Sequence, residues 1–476
     1  MVPRTRRGLL AASGTLLLPA AAPDGAGPDG AGRQASGDPP AAAEAADAVA
    51  PFPLVAAPAR QALLGAGLPD TATWAYGGAG PVLRALQGET LRVRLENRLP
   101  RPTSVQWHGL RLDNALDAAS LPPLPPGATR GYALPLPDAG THWYHPHHDG
   151  AEQLARGLAG ALVVAEAAPP AVDRDLLWTL RDWRLQPDGA IAEDFHGLRE
   201  MTQAGRIGTL VTLDGARPAD FAVQANERLR LRLLNTANAR IFALRFTGHA
   251  PLVVVLDGNP VAPHPPEDGL VVLAPGQRAD LILDCAGSPG DRAQITDEAY
   301  GRLSYRLLDL VYAPGRRRAA PLRDAIRLAP NPVPEPDPAG AVPFAVVLHG
   351  GTVGLLRPGL RDARARGMAW TVNGRATPAE ASHQPLATFR AGASVVLDLR
   401  NETAFSHPLH LHGHTLRVLA RNGRPMPYRP LRDTPLLGPQ ERLEVAFVAD
   451  RPGDWMLHSM VREHHQGGLS AMLRVA

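Results

Sequence analysis

Three short stretches in which apolar side chains recur at alternate positions constrain the fold of this 476-residue chain more than any other feature. They are Leu91-Arg92-Val93-Arg94-Leu95, Arg228-Leu229-Arg230-Leu231-Arg232-Leu233 and Val395-Val396-Leu397-Asp398-Leu399. A period of two sends successive side chains to opposite faces of a strand, so each stretch reads as a strand with one buried face. Each run also ends alike, in Leu95-Glu96-Asn97, Leu234-Asn235-Thr236 and Leu399-Arg400-Asn401-Glu402, which points to one β-sandwich unit used three times. The 49 prolines and 47 glycines fit many turns and short strands, and leave no room for long helices as the main element. Proline occupies every second position from Pro330 to Pro338, too dense for a central strand, and marks a linker. The expected division is a leader over 1–50 and sandwich domains over 51–168, 169–338 (including that linker) and 339–476.

Every basic side chain is arginine, interspersed with acids to a net charge of +3, so the clustered basic face that binds nucleic acid is not expected. The single cysteine, Cys285, excludes an internal disulfide. It ends the run Leu281-Ile282-Leu283-Asp284 and reads as a small buried apolar side chain. At the N-terminus, Thr5-Arg6-Arg7-Gly8-Leu9-Leu10 precedes a mildly apolar stretch through Leu18 and then Ala20-Ala21-Ala22. That is the layout of a twin-arginine export signal, too short to span a membrane. Export to the periplasm or beyond is expected, with no stable membrane insertion.

Histidine carries the functional signal, because 12 of the 17 fall in four short segments near the ends of the first and third domains. These are Gln106-Trp107-His108-Gly109, His142-Trp143-Tyr144-His145-Pro146-His147-His148, His407-Pro408-Leu409-His410-Leu411-His412-Gly413-His414, and His458-Ser459-Met460-Val461-Arg462-Glu463-His464-His465. On a strand, residues two apart share a face, so His145 with His147, and His410 with His412, can aim two imidazoles into one cavity. Neutral imidazole suits copper, zinc, iron and nickel.

From about residue 50 to the C-terminus the sequence resembles the multicopper oxidases, the family of laccases and bilirubin oxidases. The resemblance rests on Trp107-His108-Gly109-Leu110, on Gly140-Thr141-His142-Trp143-Tyr144-His145-Pro146-His147, and on a full match at His407-Pro408-Leu409-His410-Leu411-His412-Gly413-His414. It implies three consecutive Greek-key cupredoxin domains. It also implies a type 1 copper that takes electrons from substrate, and a trinuclear cluster between domains one and three where dioxygen becomes water. Position by position, His407 and His464 match the type 1 imidazoles, Ser459 stands where the family has cysteine, and Leu469 takes the axial place. His410 matches one type 2 ligand while Gln106 replaces the other. One type 3 copper would keep His147, His412 and His458; the other would keep His108 and His145, with Met460 as its third group. Asp117 fits an acid that moves protons near the cluster, and reads equally as a turn carboxylate.

A serine hydroxyl cannot supply the soft thiolate of blue copper, so the resemblance implies a non-functional type 1 site and fewer than four coppers. Two readings stand side by side. One is a copper-dependent oxidoreductase acting on dioxygen and a small phenolic or metal substrate through the residual type 3 ligands. The other is a non-catalytic copper-binding or metal-free scaffold, its histidines forming a buried polar network. His142, His148, His414 and His465 are expected outside the ligand set, and Trp107, Trp143 and Trp455 in the core. With 7 methionines the chain lacks a methionine-rich insert for cuprous ion, and three domains can build the cluster within a monomer.

Overall fold

The computed structural model describes residues 50–78, 80–354, 365–378 and 384–476; the segment expected to be an export signal and most of the expected leader lie outside the described residues. The strands form six sheets that close in pairs. In the first pair, Thr71–Tyr76, Phe52–Gln61, Thr90–Asn97 and Thr129–Pro135 face Leu83–Leu86, Gly160–Ala165, Gly140–His145 and Gln106–His108. The second pair, with six and five strands, runs from Arg174–Trp183 to Tyr305–Arg316, and the third, with seven and five, from Val342–Gly350 to Ser470–Val475. Each pair encloses its own apolar core, represented by Val93, Leu95 and Tyr144, by Leu231, Phe242 and Leu281, and by Leu397, Leu399 and Trp455. The expected all-β chain of three consecutive sandwiches is what forms. Cys285 is fully buried in the second core, and burial pushes its thiol up to about 12. Among the described residues no helix is long and apolar enough to cross a membrane.

The repeat visible in the sequence is a repeat of topology. Thr90–Asn97, Arg228–Asn235 and Ser394–Asn401 each lie between a parallel partner (Phe52–Gln61, Arg174–Trp183, Val342–Gly350) and an antiparallel one. The asparagine at the end of each strand does the same work three times. Asn97 Oδ1 accepts from the Leu99 N–H at 2.9 Å while Nδ2 donates to Arg101 and Leu124 carbonyls. Asn235 accepts from Ala237 and donates to Arg240 and Leu273; Asn401 accepts from Thr403 and donates to Phe405 and Gly438. A buried amide with one acceptor and two donors suits a strand end whose backbone would otherwise be left without partners.

Arg228–Asn235 departs from the expectation of one buried face, since all eight residues are buried. Leu229, Leu231 and Leu233 enter the second core, while Arg230 and Arg232 are buried at the boundary with the first sandwich. Arg230 pairs with Asp280 and Glu166, and Arg232 with Asp175 and Asp280. Alternation here separates two interiors, one apolar and one ionic, and the arginines tolerate burial because each meets carboxylates in forked geometry.

Candidate metal centre

Short strands bring the histidine segments to the seam between the first and third sandwiches. In the first, Gln106–His108 pairs with Gly140–His145, setting Gln106 opposite His145 and His108 opposite Trp143. In the third, His407–Leu411 pairs with Gly453–Ser459, setting His410 opposite His458. The glycines within these motifs are required by close packing. A Cβ on Gly109 (φ +85°) would lie 2.4 Å from the Arg278 guanidinium, and one on Gly413 (φ +67°) would lie 2.3 Å from the Trp455 ring. The imidazoles are buried, and burial depresses them: His108 to about 3, His464 to about 4, and His145, His407, His410 and His458 well below the ordinary histidine value. At neutral pH they are neutral rings, each with one N–H and one lone pair.

The outer contacts decide which nitrogen carries the lone pair. His412 Nδ1 lies 2.9 Å from the Asp117 carboxylate and His458 Nδ1 2.8 Å from the Ser459 carbonyl, both acceptors, so both rings donate there. Their Nε2 atoms then face one another 3.0 Å apart. His147 completes the group, its ring edge-on to both, and one ligand nitrogen from each of the three lies within 4.8 Å of the others. Two inward ring nitrogens at this distance are bridged either by one shared proton or by a metal cation. This donor set fits a metal ion held by three imidazoles. For Asp117, burial works to raise its carboxyl, but His412, the Ala119 N–H and the Gln106 amide outweigh it and hold it below the usual range.

The same signature recurs at His407 and His464. His407 Nε2 donates to Thr403 Oγ1, whose own hydrogen goes to Asn401, and His464 Nε2 donates to the Gln203 carbonyl at 2.5 Å. The two Nδ1 atoms are left 3.2 Å apart and face one another. The Ser459 hydroxyl is buried and accepts the Val461 N–H at 3.2 Å. Trp370 covers both rings and is itself tied by Nε1 to the Met201 carbonyl, so the helix Leu198–Thr202 and the residue after it roof this pair.

The remaining expected residues sit between the two halves. His108 stacks on His410 with ring centres 3.8 Å apart, and His108 Nδ1 lies 3.4 Å from His145 Nε2. The outer nitrogens of the stacked pair go to Asp433: His108 Nε2 to its carboxylate at 3.2 Å, His410 Nδ1 to its carbonyl at 2.9 Å. Gln106 does not turn its amide to the histidines; its oxygen accepts the Ala118 N–H and its nitrogen donates to Asp117. Met460 packs among Trp143, Leu154 and Leu234, close to Gly276 and His108.

Residues that carried no signal in the sequence complete the site. Arg278, from the second sandwich, grips Asp433 at 2.5 and 2.8 Å and the Thr141 carbonyl at 2.9 Å, joining all three sandwiches behind His108. Arg462 lies buried with its NH2 2.8 Å from His145 Nδ1. Of the histidines placed outside the ligand set, His465 lies tilted against His458 with ring centres 4.3 Å apart, His142 and His414 are buried, and His148 is partly exposed. Trp107, Trp143 and Trp455 are core residues as expected.

Three sandwiches with neutral imidazoles gathered where the first meets the third define the class of multidomain cupredoxin proteins. Family profiles described as multicopper oxidase match residues 65–169, 139–292 and 357–476. The chain is 28% identical over 450 residues to multicopper oxidase MmcO of Mycobacterium tuberculosis, covering 86% of this chain and 84% of that protein. Among solved structures it is similar to a multi-copper oxidase from Pseudomonas thermotolerans (33% identity, TM-score 0.80, 90% of this chain and 99% of that one). It is also similar to Lac15 from a marine microbial metagenome (32% identity, TM-score 0.70, 90% and 100%). The chain belongs to the multicopper oxidase family.

Proposed function

We propose that this protein is an exported copper-binding oxidoreductase that keeps one half of the family's type 3 site and works without the type 1 relay. The observation that carries the reading is the pair His412 Nε2 and His458 Nε2, 3.0 Å apart with both outer nitrogens already engaged. With their outer nitrogens engaged, both rings direct Nε2 into the space that His147 also lines, as ligands of one ion do. Copper bound there supplies one-electron redox chemistry toward dioxygen. Asp117 orients His412 and, as a carboxylate, offers a place for a proton arriving at the cluster. The buried rings around it exclude bulk water. On this reading Ser459 holds the position of the missing thiolate and His407 with His464 offers only two nitrogens, so electrons enter from a small phenolic or metal substrate near the cluster itself. The chain acts as a monomer exported by its twin-arginine leader.

Loading the protein with Cu(II) is expected to leave it without the intense blue absorption of a copper–thiolate bond, and the same loading of Ser459→Cys to develop it. Colour in the wild type, or none in the variant despite bound copper, contradicts the assignment of Ser459. A second reading, a copper-binding protein without turnover, is favoured by Gln106, whose amide is spent on Asp117 and Ala118. Oxygen uptake with a catechol separates the two: copper-dependent consumption supports the oxidoreductase, and its absence in copper-loaded protein supports the second reading.

A further inference from the structure

We infer that Ser104 is the positioning residue that fixes the third imidazole of the centre, so that its hydroxyl decides whether copper at the seam is held by three histidines or by two. The inference rests on the copper reading above and adds a residue to it. His412 and His458 take their places from backbone pairing. His458 lies within the strand Gly453–Ser459, and the His412 N–H donates to the Met456 carbonyl at 2.9 Å. His147 is held differently. The strand Gly140–His145 ends before it, and Pro146, which has no N–H, cannot continue the ladder. The backbone N–H groups of His147 and His148 both donate to Ser104 Oγ, at 3.1 and 2.8 Å. A hydroxyl oxygen has two lone pairs and can take both. Ser104 and His147 are buried, where an N–H left without an acceptor is costly.

The segment that carries Ser104 is itself fixed against the turn. Arg101 NH1 donates to Glu152 at 2.9 Å, the Pro102 carbonyl accepts from Gln153 Nε2 at 2.9 Å, and Thr103 Oγ1 donates to Gln153 Oε1 at 2.7 Å. The Ser104 carbonyl in turn accepts from the Tyr76 hydroxyl at 3.3 Å. Four consecutive residues thus run beside the chain from His147 to Gln153 as a splint, with the helix Gly150–Arg156 at its far end. Of these contacts, the Ser104 hydroxyl is the one that reaches the backbone of a candidate ligand. The ring on that backbone meets His412 and His458 edge-on, with centres 5.3 and 5.7 Å away. Without the hydroxyl, both N–H groups must turn toward other acceptors, and rotation of that peptide carries the ring out of reach of the other two.

The test loads the full chain with one equivalent of Cu(II), measures affinity by competition with a chelator, and reads the number of imidazoles on copper by X-ray absorption. The wild type is expected to show three. Ser104→Ala is expected to show two and to bind copper roughly 10–100-fold more weakly, the usual loss when a group that orients a ligand is removed. Ser104→Cys, which keeps the shape with a weaker acceptor, is expected to fall between them and stands in if Ser104→Ala does not fold. In a His147→Ala background, where the ring is already gone, Ser104→Ala is expected to change affinity by less than about twofold. Three imidazoles at unchanged affinity in whichever variant folds overturns the inference, and so does an equal loss with and without His147. A wild type that binds no copper at these histidines overturns the copper reading instead.

Discussion

At the residue scale, the competence of a buried imidazole for metal is decided by what its other nitrogen touches. Asp117 shows this, since its Oδ2 receives both His412 Nδ1–H and the Gln106 amide while its Oδ1 receives the Ala119 N–H. An amide in its place keeps only one of these oxygens and turns N–H hydrogens toward the donors at the other, either His412 with Gln106 or the Ala119 N–H. Asp117→Asn is therefore expected to weaken copper binding by roughly 10–100-fold, the usual cost of losing a ligand's outer partner, as measured by competition with a chelator of known affinity. An unchanged affinity would mean that His412 does not need this anchor. The clustering of the histidines was legible in the sequence because their identity and spacing are local. Their partners were not: Asp117 lies 295 residues from His412 and Arg278 lies 155 from Asp433, so only the fold brings them together. Arg462 was in view inside a quoted motif, yet nothing in its neighbours announces that its side chain turns back onto His145.

At the scale of the element, the asparagine that ends each of the three central strands acts as a side-chain extension of the sheet. Asn235→Ala leaves the Ala237 N–H and the Arg240 and Leu273 carbonyls without partners. At about 1 kcal/mol for each buried group, the loss is roughly 3 kcal/mol, read from the urea midpoint. A change below about 1 kcal/mol would mean water or a backbone shift replaces the amide. The alternation of Arg228–Asn235 predicted a strand and its leucine face correctly. Period two reports only that the faces differ, and cannot tell solvent from an ionic interior such as Arg230 with Asp280 and Glu166, because the acids lie in other strands and another sandwich.

Across the whole molecule, the second sandwich contributes no expected ligand but holds the site together. Arg278 reaches Thr141 in the first sandwich and Asp433 in the third, and Asp433 in turn orients His108 and His410. For Asp433, burial works to raise its carboxyl, but Arg278 outweighs it and keeps it charged. Arg278→Met leaves that buried charge unpaired and is expected to cost about 3–5 kcal/mol of stability by chemical unfolding. A loss under about 1 kcal/mol would contradict the role of Arg278 as the tie between sandwiches. The buried rings also set a pH dependence for the metal-free protein. Burial holds His108 at about 3 and His142, His414 and His464 at about 4, against 6.5 for an exposed ring. Above that value neither state binds the proton and stability is level; below it the unfolded chain takes up protons that the fold refuses. Stability is thus expected to fall as pH drops from about 6.5 toward 4, and a urea midpoint that holds steady across that window would show the rings accept protons in place.

The most direct measurement is copper per chain in the purified protein, before and after His458→Ala. One imidazole fewer leaves His412 Nε2 without the ring nitrogen that faces it. The account predicts tightly held copper in the wild type and one ion fewer in a folded His458→Ala; a wild type that binds no copper, or a variant that keeps its full complement, contradicts it.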